Sequence, residues 1–342
     1  MRVGIVGAGV MGGIHAAGWL ATPAQVAGFR DIVEGRAQDR AARFGGQVYD
    51  SLTALVRDVD VVDVCTPTDV HYEIVMAAIA AGKHVVCEKP LARSVEQGLE
   101  MIAASRAAGI KLLVGQVVRF FPEYAAAKAA VDRGVIGKPA VLRLARCVSQ
   151  PRKATDNWFV DFRRSGGVVL DLMVHDFDYA RWVAGEVTTA YAKTLGVARP
   201  EAAVDHALAI LTHASGAITH VEGSWAFPSG FYTAFELAGS DGLLVFDSER
   251  SSPVRFLRHR RPEETVPEVP LPAHPLLESQ YTTEIKAFYA TLDHDAALRV
   301  SATDGLAAVQ IALAVIESAQ TGRAIRIEPL PIGDLRLGEA LA

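Results

Sequence analysis

The sequence is poor in cysteine: Cys65, Cys87 and Cys147 are its three, and none stands in a C-x-x-C arrangement. An odd, scattered set argues against a disulfide-stapled scaffold or a cysteine-based zinc site, and reduced thiols fit a cytoplasmic protein. Positive charge is not in excess. Lys plus Arg total 34 against 39 for Asp plus Glu, a net charge of −5 with no long basic run, so neither nucleic acid nor an anionic membrane is an expected partner. Long apolar runs are missing too. Leu306 to Ile316 is interrupted by Gln310 and falls short of the ~18 residues a spanning helix needs, so no transmembrane helix is expected. Arg2 ahead of an apolar run mimics a signal peptide, but the run flows into Gly12, Gly13 and His15 without a processing site and reads as mature protein.

What is present is material for a large core. Half of the 342 residues are hydrophobic and 21% are charged, which excludes a disordered or collagen-like chain, and the length favours two domains. Up to residue 120, short apolar runs alternate with alanine-rich helical segments. Strands are expected at Val3–Val6, Val26–Arg30, Val59–Cys65, His84–Cys87 and Lys111–Gly115. Helices are expected at Gly12–Ala21, Gly35–Phe44, Val70–Ala81 and Ser94–Ala108. This alternation predicts a parallel sheet with right-handed crossovers. Beyond residue 120 the pattern changes to longer strands at 140–148, 203–212, 217–226, 232–237 and 243–247. The turns His213-Ala214-Ser215-Gly216 and Gly239-Ser240-Asp241-Gly242 join some of them as hairpins. A second domain with an antiparallel or mixed sheet follows, giving expected units of 1–120 and 121–342. The proline-rich stretch 262–275 reads as a surface loop, and helices at 284–292 and 303–320 close the chain, the second stopped by Gly322.

Val3-Gly4-Ile5-Val6 runs straight into Gly7-Ala8-Gly9-Val10-Met11-Gly12, a G-x-G-x-x-G between strand and helix. The first glycine permits the tight turn, the second lets backbone approach a pyrophosphate, and the third allows close helix packing. Asp31 lies nineteen residues after Gly12, just past the second strand. A carboxylate there accepts ribose hydroxyls and repels a 2′-phosphate, which favours NAD; Arg30 and Arg36 are near enough to leave NADP possible.

Cys65-Thr66-Pro67 with His71, then Gly82 through Glu88-Lys89-Pro90, and later Gly166-Gly167 followed by Asp171-Leu172-Met173-Val174-His175-Asp176, complete a set of motifs. Together they resemble the glucose-fructose oxidoreductase/inositol dehydrogenase/MocA family. Phe288, Ser301, Asp304 and the segment 318–325 are similar to its closing helix and strand, so the resemblance spans almost the whole chain. It implies a Rossmann domain followed by an α/β domain with a large open, mostly antiparallel mixed sheet, and homodimers or homotetramers packed through that sheet. It also implies cofactor contacts from Thr66, Pro67, His71, Glu88 and Lys89, and a cis bond between Lys89 and Pro90.

Lys89 follows a buried strand, where an ammonium can stabilise the alkoxide that develops as hydride leaves. Asp171 and His175 stand four apart on an expected helix, so both would project the same way. A neutral imidazole there can accept an alcohol proton while the carboxylate orients it, and that carboxylate would move the imidazole ionisation upward. An intrahelical surface pair has the same spacing. So do two ligands of a metal site, although no third ligand is evident beyond scattered acids such as Asp178. The resemblance implies catalysis without metal. Arg119, Trp158 and Arg163 are candidates for the substrate wall, and His15, Cys65 and Cys87 read as structural. The expected function is NAD-dependent oxidation of a secondary alcohol on a sugar, cyclitol or related polyol, or the reverse reduction. A redox-assisted eliminase or glycosidase and a non-catalytic NAD- or sugar-sensing regulator are the alternatives.

Overall fold

A computed structural model describes residues 1–150, 157–196, 205–249 and 278–332. The first sheet has strands β1 (Arg2–Val6), β2 (Gln25–Arg30), β3 (Gln47–Val48), β4 (Val61–Val64), β5 (His84–Glu88) and β6 (Leu112–Gly115) in the order β3-β2-β1-β4-β5-β6, all parallel. Helices on both faces bury these strands, which is why they read as continuous apolar runs rather than alternating ones. The order reverses between β1 and β4. Loops leaving the carboxyl ends of those two strands diverge and open a crevice, the usual ligand site of such sheets. This is a Rossmann arrangement.

The second sheet comprises β7 (Pro139–Ser149), β8 (Val187–Leu195), β9 (His206–His213), β10 (Ile218–Ser224), β11 (Ala226–Gly239), β12 (Leu243–Asp247) and β13 (Ile325–Arg326). Its order is β12-β11-β7-β10-β9-β8-β13, with β7 and β10 parallel and every other pair antiparallel. Both hairpin turns read from the sequence are present, joining β9 to β10 and β11 to β12. Alternation along β9 puts Ala207, Ala209 and Leu211 inside and leaves Leu208 and Ile210 exposed. Helices Val174–Ala184 and Ala302–Thr321 cover the inner face.

Helix Ala302–Thr321 starts with a capping box between Ser301 and Asp304 and ends at Gly322 with φ 71°, where a left-handed residue is needed. It has the length and composition of a membrane span, yet most of it is buried against β8 and helix Val174–Ala184. The segment 262–275 lies outside the described residues.

Several elements depart from the sequence reading. Helices Leu52–Asp58 and Pro122–Asp132 and strand β8 were not anticipated, and β11 begins six residues earlier than the expected strand at 232. Helix Gln280–His294 follows the second sheet in the chain but packs against helix Val10–Leu20, with Ile285 and Phe288 in the core that holds Val3 and Ile5. The continuous helix expected to carry Asp171 and His175 is two helices, Gly167–Asp171 and Val174–Ala184. Leu172 and Met173 both donate to the Val168 carbonyl, at 3.0 Å each. The break seats Met173 over β10 at Gly223, where an added Cβ would lie 2.2 Å from Met173 Cγ.

Candidate active site

A cavity of about 440 Å³ opens at the crevice between the two sheets, within the range of small-ligand sites. Gly7, Gly9, Val10 and Met11 form one end of its lining, Asp31 flanks them, and Thr66, Pro67, Glu88, Lys89, Trp158, Asp171 and His175 continue it. The glycine turn is tight. Gly7 has φ +96°, and a Cβ there would sit 2.5 Å from the Cys65 carbonyl oxygen, while one on Gly12 would lie 2.0 Å from the Gly7 carbonyl oxygen. A Cβ on Gly9 would meet nothing within 4 Å, so it would occupy space open to a ligand. Helix Val10–Leu20 begins there with no side-chain cap and no acid in its first turn, which suits phosphate oxygens. The Asp31 carboxylate accepts from Ala8 N at 2.7 Å and Val33 N at 2.8 Å, each oxygen keeping a lone pair for a ribose hydroxyl. Thr66 Oγ1 is buried and has no partner among the described residues. An open cradle, an uncapped helix start and an orphaned hydroxyl in one lining fit a dinucleotide.

At the other end, Lys89 Nζ donates to the Asp171 backbone oxygen at 2.7 Å and lies 3.3 Å from Asp171 Oδ1. The Lys89–Pro90 bond is cis. His175 also faces this cavity, and its buried Nδ1 has no partner among the described residues. Burial lowers its pKa well below the usual imidazole value, and the positive charges of Lys89 and Arg146 add to that. This reverses the expected direction. Asp171 pairs with Lys89 rather than with His175, because the broken helix removes the i, i+4 alignment.

Three of the expected site residues stand outside the cavity lining, and in each the side chain or backbone is already engaged. His71 is fully buried: Nδ1 lies 2.9 Å from the Pro90 oxygen and Nε2 3.0 Å from the Thr66 oxygen, so it ties the two loops together from behind. Arg119 is buried and donates twice to Asp178, at 2.7 and 2.6 Å. Arg163 is exposed, its N–H donating to Asp161 Oδ1 and its carbonyl accepting from Arg93. Gly12 also lies behind the lining, serving the helix packing.

The lining includes residues the sequence reading missed. Arg164, next to the expected Arg163, lines the cavity and pairs with Asp69 at 2.7 Å. Arg146 reaches the cavity with its guanidinium held by Asp176, at 2.7 and 3.0 Å. Trp158 stacks on Phe159 at 4.2 Å, Trp225 meets Phe159 edge-on, and Trp225 Nε1 is buried without a partner among the described residues. Nothing in local sequence separates these arginines from Arg119 or Arg163; an acid thirty or more residues away would have had to be matched to each.

A Rossmann sheet, a dinucleotide cradle and a lysine–histidine pair at its far end define an NAD-dependent oxidoreductase acting on a CH–OH group. Residues 1–116 match the model of the oxidoreductase family with an NAD-binding Rossmann fold, and residues 124–245 match that of the GFO/IDH/MocA C-terminal domain. The chain belongs to the GFO/IDH/MocA oxidoreductase family. It is 30% identical to an inositol 2-dehydrogenase of Rhizobium meliloti over 347 residues, covering 96% of this chain and 99% of that one. It is 31% identical to a myo-inositol 2-dehydrogenase of Thermotoga maritima over 341 residues, with the same coverage. Among solved structures, GenD2 from gentamicin A biosynthesis, in complex with NAD, superposes with a TM-score of 0.87 at 27% identity, covering 96% of this chain and 97% of that one. A levoglucosan dehydrogenase in complex with NADH and levoglucosan gives 0.81 at 27% identity, covering 96% and 100%.

Proposed function

We propose that the protein oxidises a secondary alcohol of a cyclitol, sugar or related polyol, or reduces the corresponding ketone. The observation that carries this reading is the convergence of Lys89, Asp171 and His175 on the end of the cavity away from the glycine turn. When bound there, NAD supplies the hydride acceptor. Lys89 Nζ donates to the substrate oxygen and stabilises the negative charge that grows on it as hydride leaves. A neutral His175 takes the hydroxyl proton, and Asp171 holds the ammonium in place. Trp158, Phe159 and Trp225 give an apolar wall for ring C–H faces, and Trp225 Nε1, without a partner among the described residues, offers one donor to a hydroxyl. In this reading Thr66, Pro67 and Glu88 border the cofactor, while His71 acts on it only through the loops it joins.

The exposed face of the second sheet supports association with a second copy of the chain. Val141 pairs with Ile218, and Ile210 pairs with both His220 and Tyr191, so apolar side chains on four neighbouring strands share one outer face. A face of this kind can meet its own copy about a two-fold axis.

A panel of inositols, aldoses and anhydrosugars incubated with NAD and followed by NADH absorbance tests the reaction. NADH formation with one member of the panel is expected. Release of an aglycone without net NADH would replace this reading with the eliminase one.

A further inference from the structure

Beneath the cavity floor lies a buried ionisable cluster that the reaction above does not use. His15, on helix Val10–Leu20, has Nδ1 3.0 Å from both oxygens of Asp63 on β4 and Nε2 3.0 Å from Glu88 Oε1 on β5. His15 and Asp63 are fully buried, and Glu88 is nearly so. The Trp19 indole donates to Asp63 Oδ2 at 2.7 Å, and the Cys65 thiol lies 3.5 Å from Asp63 Oδ1. Glu284, from helix Gln280–His294, faces the same region; it is fully buried and neither of its carboxyl oxygens has a partner among the described residues. Glu88 itself lines the cavity, and its second oxygen accepts the Lys89 backbone N–H at 2.9 Å.

Between a ring nitrogen and a carboxyl oxygen 3.0 Å apart one hydrogen must lie, because two lone pairs repel. His15 faces a carboxylate at each nitrogen. We propose that His15 is a positioning residue: a doubly protonated ring bridging Asp63 and Glu88, which holds Glu88 against the Lys89 backbone and so fixes where the Lys89 ammonium stands. This rests on the reading of the cavity as the site of hydride transfer. The bridge joins the glycine-turn helix to the strand that delivers Lys89, so the cofactor cradle and the chemical end share one buried support. Burial opposes a charged ring, but the Asp63 carboxylate outweighs it and raises His15 well above the ordinary imidazole value. For Glu284, burial and then the Glu88 charge push the carboxyl well above the usual range.

Two measurements decide it. In wild-type protein labelled with ¹⁵N-histidine, one ring is expected to keep both protons above about pH 8, where an ordinary imidazole is neutral; that signal should vanish in His15→Gln. Absence of such a ring overturns the bridge, whether or not any variant folds. Kinetically, His15→Leu should lower kcat by about tenfold or more through misplacement of Lys89 while NAD affinity, measured by calorimetry, changes far less. His15→Gln, which keeps one donor, should recover part of the loss. Wild-type kcat in His15→Leu overturns the positioning role. If no polyol is turned over by the wild type, the functional reading fails while the NMR result still decides the bridge.

Discussion

Lys89 and His175 divide the chemistry by charge, and the Lys89 ammonium bears on the state of His175. The positive neighbours of His175 reinforce its burial in lowering its pKa well below the ordinary imidazole value. The free enzyme therefore keeps the base neutral through neutral pH, and the acid limb of the oxidation profile is expected below the ordinary imidazole range. Lys89→Met removes one of those charges. Residual oxidation should fall by at least about a hundredfold, since a group aimed at the developing charge is lost, and the acid limb should move upward while NAD affinity holds. A limb that stays in place, read from kcat/KM against pH, would separate His175 from that limb. Asp31 belongs to the same scale. Asp31→Ala should weaken NAD and improve NADP relative to it, checked by calorimetric titration of both; an unchanged ratio counts against the carboxylate as selector. The residue types at 7, 9, 12, 31, 89, 171 and 175 were legible because their chemistry is local. Arg146 and Arg164 were not, because a guanidinium faces a cavity or a core according to which acid it meets, and Asp176 and Asp69 are far from them in sequence.

At the scale of the element, the break between helices Gly167–Asp171 and Val174–Ala184 changes what the D-x-x-x-H spacing means. One straight helix would stack the two side chains; two helices let Asp171 meet Lys89 and leave His175 facing the cavity. The cause is tertiary, since Met173 needs the gap over Gly223, and no residue at the break is a proline or glycine. The second helix is anchored through Arg119, whose guanidinium also donates to the Arg299 carbonyl at 2.8 Å. Arg119→Met should cost about 3–5 kcal/mol, because Asp178 is left buried and unpaired. Urea unfolding checks this. Folded variant should retain the wild-type KM for the polyol, and a raised KM with unchanged stability would return Arg119 to the substrate wall.

For the whole molecule, the second sheet's outer face sets the expected assembly. Ile210→Lys puts a charge in the middle of that apolar face, and the variant should run as a monomer by light scattering at micromolar concentration where the wild type does not. A wild-type monomer, or an unchanged assembly in the variant, would remove that face from the interface. The sequence by itself determined the parallel sheet, the glycine turn and its acid, the hairpins of the second sheet and the lysine and histidine. Each of these is written in contiguous residues whose backbone geometry or period is intrinsic. Only the tertiary structure decided the packing of helix Gln280–His294 on the first sheet, the partners of each arginine, the direction of the His175 ionisation and the buried bridge at His15. These depend on charges and cavities assembled from distant segments, and both burial and Coulomb interaction are set by distance in space, which sequence separation does not give.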